Sequence, residues 1–176
     1  VLKDLNARYP ANLDFYGMLA FAYRTRYDYA NAIHMLQRMV ERGASEPAFG
    51  RQSRQMTAYF LASSYKVAGE YDLALPVLDE LVADFDPRAE WLAVSSLIER
   101  GRIHDLKGQR ARAVADYERV LELKDFRGSR AKAKGYITAP YAMSAEARSP
   151  HLAQRPAGSG PSAGEPVASA AHSTGT

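Results

Sequence analysis

Residues 58–81 read AYFLASSYKVAGEYDLALPVLDEL, and the order of small and large side chains in them decides the fold. Leu61, Ala62 and Tyr65 share one side of a helix of 3.6 residues per turn, and Ala74, Leu78 and Leu81 recur at the same period after Gly69. Two helices result. Ala62 and Ala74 are small where two helices must touch, and the large residues around them fill the remaining space.

The pattern repeats on both sides. Upstream, Tyr16, Leu19, Ala20, Tyr23, Tyr29, Ala32, Leu36 and Met39 run in step with it from Leu19 onward. Downstream, a looser copy offset by 39 residues reads Leu97, Gly101, His104, Gly108, Ala113, Tyr117 and Val120. These three copies resemble the tetratricopeptide repeat, a helix pair with leucine, a small residue and tyrosine on its first helix and alanine on its second. The resemblance covers roughly residues 1 to 127. It implies an all-α fold, an α-solenoid of stacked antiparallel helix pairs.

Departures from the family pattern mark where the packing must differ. In the third copy Arg100 stands in place of the leucine and His104 in place of the tyrosine, and the first copy has Tyr27 at the turn where the others have Gly69 and Gly108. Asp86-Pro87 carries the inter-repeat proline one place late. At the start, Leu2, Leu5 and Pro10 have the spacing of the end of a repeat's second helix, so residues 1–11 read as the remainder of an upstream repeat in a longer polypeptide, with Val1 in place of an initiator methionine.

Helices are predicted near 13–26, 29–42, 54–68, 72–85, 88–107 and 110–124. Asp72 and Asp86 are the expected N-caps, because a short carboxylate accepts from the free N–H groups of a first turn, and Pro87 suits the first helical position. Pro76 lies close enough to its helix start to be tolerated. Gly43 to Ser53 lengthens the first interval to 42 residues and reads as a loop, with Phe49 as its one large apolar group and an ordinary exposed aromatic. Ser129 to Ile137 reads as a short basic capping helix, offering Ala131, Ala133, Tyr136 and Ile137 to the last repeat. Pro140 stops it. Repeats and cap span 12–142, and residues 143–176, rich in Ala, Gly, Ser and Pro, are expected to be a disordered tail.

Composition restricts the chemistry. The chain of 176 residues has no cysteine, which excludes disulfides, thiolate metal sites and cysteine nucleophiles, and it has no apolar run long enough to span a membrane. The net charge of +3 hides an uneven distribution: residues 100–134 carry 11 basic and 5 acidic groups. Arg110, Arg112, Arg119, Arg127, Arg130, Lys132 and Lys134 lack interleaved aromatics and any nucleic-acid motif, so a solvated helical face is preferred to a nucleic-acid contact. Ser63 to Lys66 has the S-x-x-K spacing of serine acyl-enzymes without the elements that accompany it. His34, His104, His151 and His172 have no i, i+4 histidine partner, and Gly158, Gly160 and Gly164 have no following lysine, so no metal, cofactor or catalytic residue is assigned.

What remains is recognition. A non-enzymatic scaffold is expected to hold a peptide or protein segment in the groove lined by each repeat's first helix; the alternative is a docking, regulatory or oligomerisation appendage of an upstream enzyme or secretion machine. Helical spacing places Asp14, Phe21, Arg24, Met56, Tyr59, Ser63, Lys66, Ile98, Arg102 and Asp105 along that groove. Phe21 and Tyr59 offer aromatic anchors, while Arg24, Lys66 and Arg102 add positive charge, so the expected ligand joins apolar residues to Asp or Glu. Some members of the family hold the C-terminal carboxylate of chaperones with Lys, Arg and Asn. The matching places here are Gly17, Phe21, Phe60, Ser95 and Glu99, so that clamp is absent.

Overall fold

The computed structural model describes residues 2–9, 12–46, 49–84 and 87–143. Among them the regular structure is helical, with no strand: α1 (Leu2–Arg8), α2 (Leu13–Thr25), α3 (Tyr29–Gly43), α4 (Arg51–Ala68), α5 (Tyr71–Ala83), α6 (Glu90–Leu106), α7 (Arg110–Glu122) and α8 (Ser129–Thr138), with a 3₁₀ turn at Pro87–Ala89 before α6. Each helix packs on the next in sequence, and α4 also touches α6, as α6 touches α8.

Helix starts and stops follow from local chemistry. Asn12 caps α2 by accepting from the Asp14 N–H at 3.0 Å, and Asp28 caps α3 by accepting from the Asn31 N–H at 3.2 Å. The cap expected at Asp72 falls elsewhere: Glu70 holds the N-cap position of α5, where its side chain makes no capping bond, and Asp72 lies in the first turn, where it accepts from Lys107. A carboxylate there still favours the positive helix end. The expected cap at Asp86 lies outside the described residues. Pro76 sits within α5, which continues past it.

The α2–α3, α4–α5 and α6–α7 turns share one backbone. Tyr27, Gly69 and Gly108 have φ of 59°, 81° and 71°, and the residue after each donates its N–H five places back, Asp28 to Tyr23, Glu70 to Tyr65 and Gln109 to His104. This bond satisfies an orphan carbonyl at the helix end and requires a left-handed residue. Tyr27 therefore adopts a conformation suited to glycine.

Close packing occurs where the alanines recur, for Ala32, Ala74 and Ala113 are fully buried. Around Ala74 the core gathers Leu36, Leu61, Ala62, Leu78, Leu81 and Leu92; around Ala113 a second group holds Val94, Leu97, Tyr117, Val120 and Ala133. In the second group the small place is smaller still and the large one larger, with Gly101 for Ala62. Tyr117 stands where Leu78 does in the preceding copy, and a Cβ at Gly101 would lie inside the ring's van der Waals surface. Arg100 and His104 are compensated in the same region: Arg100 binds Asp116 with two nitrogens at 2.5 and 3.0 Å and Asp79 at 2.7 Å, and His104 Nδ1 is 2.8 Å from Gln109 Oε1. An acidic residue on α7 thus receives the cation that replaced leucine.

Two further expectations change. Phe49 is buried instead of exposed, seated against Gly43, and its carbonyl accepts from Arg54 at 2.6 Å. The insertion folds back on the end of α3. At the other end, Ala133 is buried and Tyr136 and Ile137 pack on the second core, whereas Ala131 is exposed. Met143, placed in the tail by composition, is buried; residues 144–176 lie outside the described residues.

Candidate functional site

The residues expected along the groove divide into two sets with opposite character. The first lies on α2 and α4. Phe21 is 70% exposed, and Met18, Met56 and Phe60 are also exposed, which is unusual for large apolar side chains in one neighbourhood. Between them runs Arg24, whose guanidinium lies over the Phe60 ring at 4.9 Å from its centre and directs Nη1 toward the Phe60 carbonyl at 3.5 Å. Burial lowers the Arg24 pKa from its ordinary value, opposed by Tyr29, Tyr59 and Glu99. No described carboxylate lies within ion-pair distance of it. A cleft of about 320 Å³ opens here, with Ala20 and Leu36 as its floor and Phe21, Arg24 and Phe60 as walls.

Tyr59 stands at the border of the two sets. Half-buried, with its ring 5.6 Å from that of Phe60, it has a phenol pushed up to about 12 by burial and then by the Glu99 carboxylate. It remains a neutral hydrogen-bonding group. Ser63 is half-buried one turn further along, and Asp14 is exposed near the start of α2.

The second set, on the ends of α4 and α6, is closed. Lys66 is buried and ion-paired with Glu99, which also accepts from Arg102 at 2.6 Å. Burial acts to raise the Glu99 carboxyl, but Lys66 and Arg102 together hold it below the ordinary glutamate range. Arg102 donates onward to the Tyr136 hydroxyl at 2.7 Å. The Asp105 side chain, fully buried, accepts from Arg110 at 2.9 Å, from the Tyr117 hydroxyl at 2.9 Å and from the Tyr141 N–H at 2.8 Å. Ile98 is buried as well. Lys66, Arg102 and Asp105 are therefore not the open charged lining their spacing predicts, and the ammonium of Lys66 is committed to Glu99 and unsuited to act as the base of an S-x-x-K pair.

Several residues of this face escape a reading by helical spacing. Glu99 is three residues before Arg102 on α6, a spacing that signals an ion pair, and its carboxylate also pairs with Lys66 of α4. Phe60 and Tyr141 gave weaker signals: Phe60 is next to a predicted lining residue, and Tyr141 follows the proline that ends α8. The basic excess after residue 100 is partly structural. Arg110 caps α8 by donating to the Tyr136 and Ile137 carbonyls at 2.7 and 2.6 Å, and Arg130 donates to Leu123 O at 3.0 Å. Arg112, Arg119, Lys132 and Lys134 are exposed.

Among the described residues no grouping of His, Asp or Glu is arranged to hold a metal ion, and no helix is long and apolar enough to cross a membrane. Compared with protein-family models, with curated proteins and with solved structures, the chain finds no match.

Proposed function

We propose that this chain is a tetratricopeptide-like helical scaffold, its helix pairs stacked as an α-solenoid, and that it binds an extended or helical peptide segment on the face presented by α2 and α4. The observation that carries the reading is Arg24: a partly buried guanidinium flanked by exposed Phe21 and Phe60, with no carboxylate paired to it among the described residues. A partly desolvated cation favours an incoming carboxylate, and neighbouring aromatics supply apolar area at low entropic cost. The matching ligand has an Asp or Glu beside an aromatic or aliphatic residue. Because Lys66 and Arg102 already share the Glu99 carboxylate as a contact partner, the acidic preference is assigned to Arg24.

A peptide-array screen with the intact chain, repeated with the Phe21→Ala, Arg24→Glu double variant, tests this. Acidic–apolar peptides should bind the parent and lose at least about tenfold in affinity with the variant, the scale of one well-placed contact. Equal binding by both proteins would overturn the proposal.

A further inference from the structure

The chain leaves α8 in a direction with consequences for the closed half of this face. Ala139 is extended, at φ −136° and ψ 131°, and Pro140 prevents further helix. Tyr141 then comes down on residues whose helical positions mark them as groove lining. Its N–H donates to Asp105 at 2.8 Å, its ring lies 5.0 Å from the Arg102 guanidinium and 5.6 Å from the Lys66 ammonium, and it meets the Tyr136 ring edge-on at 5.5 Å. Two residues on, Met143 is buried. An extended backbone that donates to a fixed carboxylate, with a ring seated against two cations, is how a helical groove can hold a peptide.

The chemistry of the seat also defines what fits it. Lys66 and Arg102 share the single Glu99 carboxylate, which fills their direct ion-pair contacts and leaves the trio one positive charge to offer to the electron-rich face of an aromatic ring. Asp105 asks for a backbone N–H. We propose that Lys66, Arg102, Asp105 and Tyr136 form a binding site for an extended segment carrying an aromatic residue, occupied in cis by Pro140–Met143 and open to the same chemistry in trans when that segment leaves. This rests on reading the face as a peptide-binding surface, and it adds a second specificity and an internal competitor. A segment tethered by so short a connection acts at an effective concentration on the order of millimolar, so an outside ligand must overcome it.

A synthetic peptide of residues 137–143, acetylated and amidated, titrated against the full chain and against its Tyr141→Ala variant by fluorescence anisotropy tests this. The variant should bind the peptide at least about tenfold more tightly than the parent does. A peptide with alanine in place of the tyrosine should bind neither, and in the parent the Tyr141 amide should be protected from hydrogen exchange. Equal binding to parent and variant, no binding to the variant, or free exchange at Tyr141 would overturn the proposal. If Tyr141→Ala loses the helical circular-dichroism signal, Tyr141→Leu replaces it; unfolding of both would show a structural strut and not an exchangeable occupant, which also overturns it. Arg24→Glu separates this site from the other. It should abolish binding of acidic–apolar peptides while leaving the 137–143 titration of the Tyr141→Ala chain unchanged.

Discussion

Tyr27 carries a left-handed backbone at φ 59° with a ring more than half exposed, at a turn whose two counterparts use glycine. A Cβ in that region costs roughly 1–2 kcal/mol, partly offset by the greater freedom glycine has when unfolded. Tyr27→Gly should therefore raise the urea midpoint, by about 0.5–1 kcal/mol of stability; a lower midpoint would show that the ring contributes more than its exposure implies. Ala74 presents the opposite case. It is fully buried at a close helix contact, so Ala74→Leu should cost ~1–3 kcal/mol by overpacking, and an unchanged midpoint would contradict the packing. At Glu99 the folded pKa is depressed, so its ionised form favours folding. That contribution is complete above the ordinary glutamate range and disappears as pH falls through the lower folded value. Glu99→Gln should flatten this acid limb in melting temperatures measured from pH 7 to 3. Lys66→Met leaves the buried carboxylate with Arg102 alone and should destabilise by about 3 kcal/mol or more, with partial recovery on adding Glu99→Met.

Within single elements, most of the architecture was legible. The period of Leu61, Ala62, Tyr65, Ala74 and Leu78 placed α4 and α5, and its echoes placed α2, α3, α6 and α7, because small residues at recurring helix contacts leave a strong mark in sequence. Burial across helices left a weaker one. Lys66 and Arg102 stand at the expected positions, yet Glu99 on α6 draws both out of the lining, a pairing that depends on how α4 meets α6. Phe49 was misread because a loop residue's burial depends on which helix end it folds against, here Gly43. Arg110 illustrates how a basic residue can serve an element: it joins α7 to the last carbonyls of α8 and to Asp105. Arg110→Ala should lose about 1.5–3 kcal/mol, the worth of hydrogen bonds to a charged group, with faster amide exchange concentrated in α8. Exchange unchanged in α8 would mean that Ala133 and Ile137 hold the helix without it.

At the scale of the whole molecule, two cores meet along α5 and α6, and the face beside them is divided. One half presents Phe21, Arg24 and Phe60, and the other is filled from within by Lys66, Glu99, Arg102, Asp105 and Tyr141. The division explains why a chain with a modest net charge of +3 is proposed to favour acidic ligands: of Arg24, Lys66 and Arg102, only Arg24 has no described carboxylate within ion-pair distance. The basic residues exposed on α7 and α8 offer a competing attraction that is screened by salt and indifferent to the ligand's apolar side chains. Chemical-shift mapping of the intact chain with an array-selected acidic–apolar peptide, at physiological ionic strength, separates the two most directly. Shifts should concentrate at Phe21, Arg24 and Phe60 and vanish when the peptide's carboxylate is replaced by an amide. Shifts confined to Arg112, Arg119, Lys132 and Lys134 would contradict the assignment of function to the α2–α4 face.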